Sequence, residues 1–197
     1  MESDWEIELG GDAPVIDARW PGFIDLRLTP SRAAQLPEAV QLPALAPALV
    51  QFNAPSSPVW TAKCDVWPVI EFDPDELDAP PESALHAVAC YIDLLPRNAK
   101  QWSTPELAIA WCKSVCDLLR PRHIRCCRVD LILRRALLTP EHSAIGITAY
   151  FTACGQTFSD ASAVLASALA VFADSIRPPF ASHPSRFTAT IKKHMGE

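Results

Sequence analysis

The sequence predicts an α+β fold in which two ββα units build a four-stranded, or with an N-terminal strand five-stranded, antiparallel sheet with two helices on one face. Three observations lead there. Strand patterns of period 2 come in pairs, Val59–Ile70 with His86–Leu95 and Cys126–Leu133 with Ile145–Cys154. Each pair is followed by a helical pattern of period 3.6. At 197 residues the chain suits one substantial core rather than two.

The elements follow in chain order. Trp5, Ile7 and Leu9 alternate with acids, and Phe23–Leu28 follows the turn Trp20-Pro21-Gly22, so both segments read as weak strands. Residues 29–58 are punctuated by prolines and hold short helices near Ser31 and Pro47. Leu42, Leu45, Leu49 and Phe52 need burial, so residues 1–58 form an arm packed on the core formed by 59–177. Residues 178–197 are a C-terminal tail.

Within the core, Ser103-Thr104-Pro105-Glu106 opens a helix to about Leu119. A hydroxyl residue suits its cap, proline its first turn and Glu106 its dipole. Its stripe is Leu107, Trp111, Val115 and Leu118. The second helix, Ser159 to Ile176, presents Val164, Leu165, Ala168, Leu169, Phe172 and Ile176 and stops before Pro178-Pro179. His86–Leu95 and Ile145–Cys154 are the apolar strands and belong at the centre. Charges and Pro68 put Val59–Ile70 and Cys126–Arg135 at the edges. In topology this resembles a circularly permuted ferredoxin-like sandwich, a likeness of fold that carries no function.

Composition excludes several classes. With a net charge of −6 and no basic stripe, the chain has no general affinity for nucleic acid. The acidic start, Met1-Glu2-Ser3-Asp4, lacks the features of a secretory signal, and no apolar run approaches the ~18 residues of a membrane span. Seven cysteines, set in strand and helix patterns, read as buried reduced thiols of a cytoplasmic protein. Cys112, Cys116, His123 and the adjacent Cys126 and Cys127 have poor spacing for zinc, so no metal site is expected. The six glycines form no phosphate-binding loop, and no nucleophile elbow is present; the cofactor, if one exists, is not named by any motif.

Alternation sorts each strand into two faces. If the apolar sets meet the helices, the opposite face gathers Lys63, Asp65, Trp67, Tyr91, Asp93, Arg128, Asp130, Arg134, Thr148 and Tyr150, with Thr61 on the same side of its strand as Lys63. Carboxylates, guanidinium groups and aromatic rings suit a small-molecule site, where Arg clamps an anion and Asp orients an amine or acts as base. The bland reading is a solvated or self-associating face whose charges pair across strands. Asp25, Asp65, Asp93 and Asp130 sit between apolar neighbours, and pairing with nearby Arg or Lys explains them more simply than a bound cation.

The functional expectation is therefore a cytoplasmic binding or accessory protein acting through this face as a homodimer. The alternative is a small-molecule enzyme whose Asp/Arg-lined site lies on the same face. A deep pocket around an Asp of raised pKa favours the enzyme, and a flat face covered by a second chain favours the interaction protein.

Overall fold

The computed structural model describes residues 1–18, 20–139 and 142–177. The expected tail and the turn at Pro140 lie outside the described residues. The fold is α+β, with strands β1 (Glu2–Glu8), β2 (Val15–Asp17), β3 (Val59–Val69), β4 (His86–Pro96), β5 (Cys127–Thr139) and β6 (His142–Gly155). The helices are α1 (Pro37–Gln41), α2 (Leu45–Asn53), α3 (Pro105–Leu119) and α4 (Phe158–Ser175).

The sheet runs β1-β5-β6-β4-β3, with β2 also paired to β5. Apolar β4 and β6 are central neighbours and β3 is an edge, as their side chains predict. Among the described residues the sheet has six strands rather than four or five, and it is mixed rather than antiparallel, because β1 and β2 run parallel to β5. That pairing also overturns the edge position of β5. Its charges do not blunt an edge; they alternate onto the helix-free face, where Arg128 meets Asp130 (2.8 Å) and Arg134 meets Glu8 of β1 (2.8 Å). On the other side of β1, Trp5 packs at the core margin under the Lys113 ammonium (5.2 Å), and Ser3 donates to the Cys116 carbonyl of α3 (3.3 Å).

One face of the sheet carries the main core. Val88, Cys90, Ile92 and Leu94 of β4, Val129, Leu131 and Leu133 of β5, and Ile147, Ala149 and Phe151 of β6 are buried against helices, as alternation predicts. Phe172 of α4 stands edge-on to Phe151 (5.2 Å) and Phe52 of α2 (5.8 Å). Thr104 caps α3 by accepting from Leu107 N–H (3.5 Å). Its buried stripe is Ala108, Trp111, Cys112, Val115, Cys116 and Leu119, while Leu107 and Leu118 are exposed, so the expected stripe is rotated by about one residue.

Thr157 and Asp160 form a reciprocal capping box on α4 (3.0 and 3.1 Å). A Cβ on Gly155 would lie 2.6 Å from the Ala161 nitrogen, so the turn from β6 into α4 requires glycine. By length and composition α4, with 18 residues, could cross a membrane, although Asp160, Asp174 and its serines keep it from being an unbroken apolar run. Leu165, Ala168, Leu169 and Phe172 are fully buried beneath the sheet, which makes it a core helix here.

Two further expectations fail locally. Phe23–Leu28 is no strand: the Asp25 carboxylate accepts from the Arg27 backbone (3.0 Å) and guanidinium (2.6 Å), which winds the segment into a turn. In β3 the register slips between Thr61 and Cys64, opposite Asp93, so Thr61 faces the helices and bonds Asn53. Backbone groups along the β3 edge are already engaged. Thr61 N–H donates to Asn53 (3.2 Å), Ala62 C=O accepts from Trp20 (3.3 Å) and Val66 N–H donates to Asp65 (2.8 Å).

Candidate functional site

The helix-free face is not open along its length. At one end Ile16 and Ala18 of the N-terminal segment form a small second core with Trp60, Ala62, Leu95 and Ala136. At the other, Leu77 and Ala79 cover Ala87 and Cys154. A Cβ on Gly146 would come within 2.7 Å of Ile16 and 3.2 Å of the Leu94 carbonyl, so glycine lets the N-terminal segment lie close to the sheet. Between these covers lies a polar, aromatic band.

Strand register builds the band. Tyr91 lies opposite both Asp65 and Tyr150, Asp130 opposite Tyr150, and Asp93 opposite Thr148. Trp67, Tyr91 and Tyr150 form one cluster, with ring centroids 5.7 to 6.5 Å apart. The Arg134 guanidinium lies over Tyr150 (5.6 Å) and donates to its hydroxyl (3.3 Å) and to Thr148 (3.4 Å).

The predicted residues divide between two concavities. Lys63, Tyr91, Asp93, Arg134 and Tyr150 line a cavity of about 340 Å³, closed on its other side by residues 14–17 and Trp20. Arg128 and Asp130 line a larger trough of about 510 Å³, which Tyr150 shares. Asp65 and Trp67 belong to neither wall: Asp65 accepts from Val66, and Trp67 braces the two tyrosines.

The trough is acidic. Asp4, Glu6, Glu71, Asp73 and Glu76 join Asp130 in its lining, with Arg128 the one base among them. Burial raises the pKa of Asp130, and the nearby Asp4 and Glu6 add to this, against the opposing pull of Arg128.

The cavity is different. Asp93 is 7% exposed, and its Oδ1 accepts the Thr148 hydroxyl at 2.6 Å. Among the described residues its second oxygen takes no hydrogen bond, and no cation comes within 4 Å of the carboxylate. Arg134 is spoken for by Glu8 (Nε, 2.9 Å; Nη2, 2.8 Å), and Lys63 is exposed at the rim. Burial raises the pKa of Asp93; the Thr148 hydrogen bond and the charges of Arg134 and Lys63 work against this without cancelling it. Burial likewise raises Tyr91, helped by Asp93 and Asp65.

Sequence reasoning missed Glu8, Asp17 and Trp20 as members of this site. Glu8 carried a signal, since it alternates with Ile7 and Leu9; the other two arrive through the parallel pairing of β2. Among the described residues no three His, Cys, Asp or Glu side chains are grouped to hold a metal. All seven cysteines are free thiols, and Cys112, Cys116 and Cys127 are buried. Burial pushes Cys127 up to about 12, and pushes Cys154, at the turn into α4, up to about 11, away from the reactive range.

Comparison with known proteins returns no match: no family model, no curated protein and no solved structure resembles the chain significantly.

Proposed function

We propose that this chain is a binding protein whose ligand site is the cavity between β2 and the helix-free face of the sheet. One observation carries the reading. Asp93 is a buried carboxylate that, among the described residues, has an unused oxygen and no ion-pair partner within 4 Å, on the wall of a cavity large enough for a small molecule. A fold has no use for such a charge, since desolvation costs several kcal/mol that a partner would offset. The test is a thermal-shift screen of parent and Asp93→Asn against a metabolite library. Ligands that raise the parent's melting temperature and leave the variant's unchanged support the site; a library without such a compound removes it.

A second reading has its own observation. An Asp whose pKa is raised by burial, beside a cavity, meets the requirement for a general base or acid. A small-molecule enzyme on this face would place Asp93 as proton acceptor and Arg134 or Lys63 as anion clamp. Turnover of a screened ligand by the parent, abolished in Asp93→Asn, would select it over simple binding.

The same proposal extends to setting and assembly. Seven free thiols support a reducing, cytoplasmic environment. Exposed Ile70, Leu85 and Phe158, gathered at one end of β3, β4 and β6, support a homodimer through that end. Light scattering of the parent and of Ile70→Asp tests this: a parent dimer that becomes a monomer is expected, and a parent monomer refutes it. Carboxylates around the trough keep nucleic acid out of the reading. The order β5-β6-β4-β3 supports the permuted ferredoxin-like topology as a description of the core.

A further inference from the structure

We propose that the cavity takes a zwitterionic small molecule of the α-amino acid class, its ammonium group on Asp93 and its carboxylate toward Lys63 at the rim; this rests on the cavity being the ligand site. The charges of the lining select it. Arg134 lies in the wall, but Glu8 holds two of its nitrogens, so its charge is already balanced. Asp17 also lines the wall and has an interaction of its own; among the described residues the charges left without an ion pair are buried Asp93 and exposed Lys63, which are more than 4 Å apart.

A purely cationic ligand would meet the Lys63 ammonium on its way in. A purely anionic one would be pressed against the Asp93 carboxylate. A ligand carrying both charges a few ångströms apart satisfies both residues, and burial strengthens the contact at Asp93. Beside this pair Tyr91 and Tyr150 line the same cavity, where their rings can cover a carbon skeleton. The Thr148 hydroxyl holds one Asp93 oxygen, which leaves the other as a fixed acceptor for the ammonium. The volume, about 340 Å³, lies at the small end of ligand pockets, which favours a single amino acid over a peptide.

The experiment uses three sets of probes at millimolar concentration: the standard α-amino acids, the corresponding amines without the carboxylate, and the corresponding acids without the amine. Binding is read from amide and side-chain NMR shifts at Asp93, Thr148 and Tyr150. At least one amino acid should bind about tenfold or more tighter than either of its truncated counterparts. Asp93→Asn should lose that binding, and Lys63→Met, an exposed change that the fold tolerates, should reduce the amino acid to the affinity of its amine. Equal binding of the amine and the amino acid overturns the zwitterion and leaves the cavity as a site. Binding of acids alone, or affinity untouched by Lys63→Met, overturns it too. Silence from all three sets overturns this inference, whereas the cavity reading falls only if the wider library also fails.

Discussion

Asp93 and Asp130 stand on the same face of one sheet, on β4 and β5 with β6 between them, and burial raises the pKa of both. Asp130 reaches Arg128 two residues away on its own strand, in a broad trough where both side chains keep about a third of their exposure. Asp93 faces a slip in β3 and a neighbouring threonine, on the wall of the cavity that residues 14–17 border. The first carboxylate was given a local partner, and the second was given a cavity. The difference teaches that alternation can place a charge on a face, while what that charge does depends on the strand or segment laid over it.

The comparison breaks first at the cover. Gly146→Val would force Ile16 and the Leu94 carbonyl apart, at a cost of about 1–3 kcal/mol for overpacking. The variant should melt several degrees lower, and NMR should show the Asp93 titration moving back toward ordinary Asp, with Asp130 unmoved. A Gly146→Val variant as stable as the parent would show that β2 does not depend on that glycine.

Next comes the cation in the cavity wall. Arg134 is largely buried and joins β1, β5 and β6 through Glu8, Thr148 and Tyr150. Arg134→Met should cost about 1–2 kcal/mol, because it leaves Glu8 and the two hydroxyls short of a donor. Chemical denaturation measures this; a neutral result would make the network incidental. The smallest effect belongs to the trough. Arg128→Gln removes a half-exposed pair worth less than about 1 kcal/mol, and the residual loss should shrink further in high salt. A loss of several kcal/mol would mean that the trough, too, is held by its charges.

Much of this was legible in the sequence, for identifiable reasons. β4 and β6 are central because Val88–Leu94 and Ile147–Ala153 leave few charges to solvate, and both helices carry caps where hydroxyl residues precede them. What escaped is non-local or depends on one residue of phase. β1 is short and mostly acidic, so nothing in residues 2–8 announces that it will pair in parallel with a strand over 120 positions later. The charges of β5 read as edge protection, yet Arg128 and Asp130 pair on β5 itself and Arg134 finds its partner, Glu8, on that distant strand. Asp25 turned an apolar run into a turn by capping it, and the slip at 61–64 moved Thr61 to the core. For the site, the sequence identified the face but not the partition: Tyr91, Asp93 and Arg134 meet Asp17 and Trp20 only because β2 folds over them.

If the Asp93 carboxylate is held for a ligand and not for the fold, the melting of Asp93→Asn across pH shows it. Burial raises the folded-state pKa of Asp93 above its unfolded value near 3.9, so the native chain binds the extra proton. This contribution favours the parent below the unfolded value, and it is lost as pH rises through the folded one. Asn keeps the Thr148 hydrogen bond and carries no charge. The ligand-free variant should therefore melt higher than the parent at pH 7, by about 2–4 °C for ~1 kcal/mol, with the gap closing as pH falls toward 4. A variant that melts below the parent at pH 7 would show that the charge supports the fold, and would contradict the account.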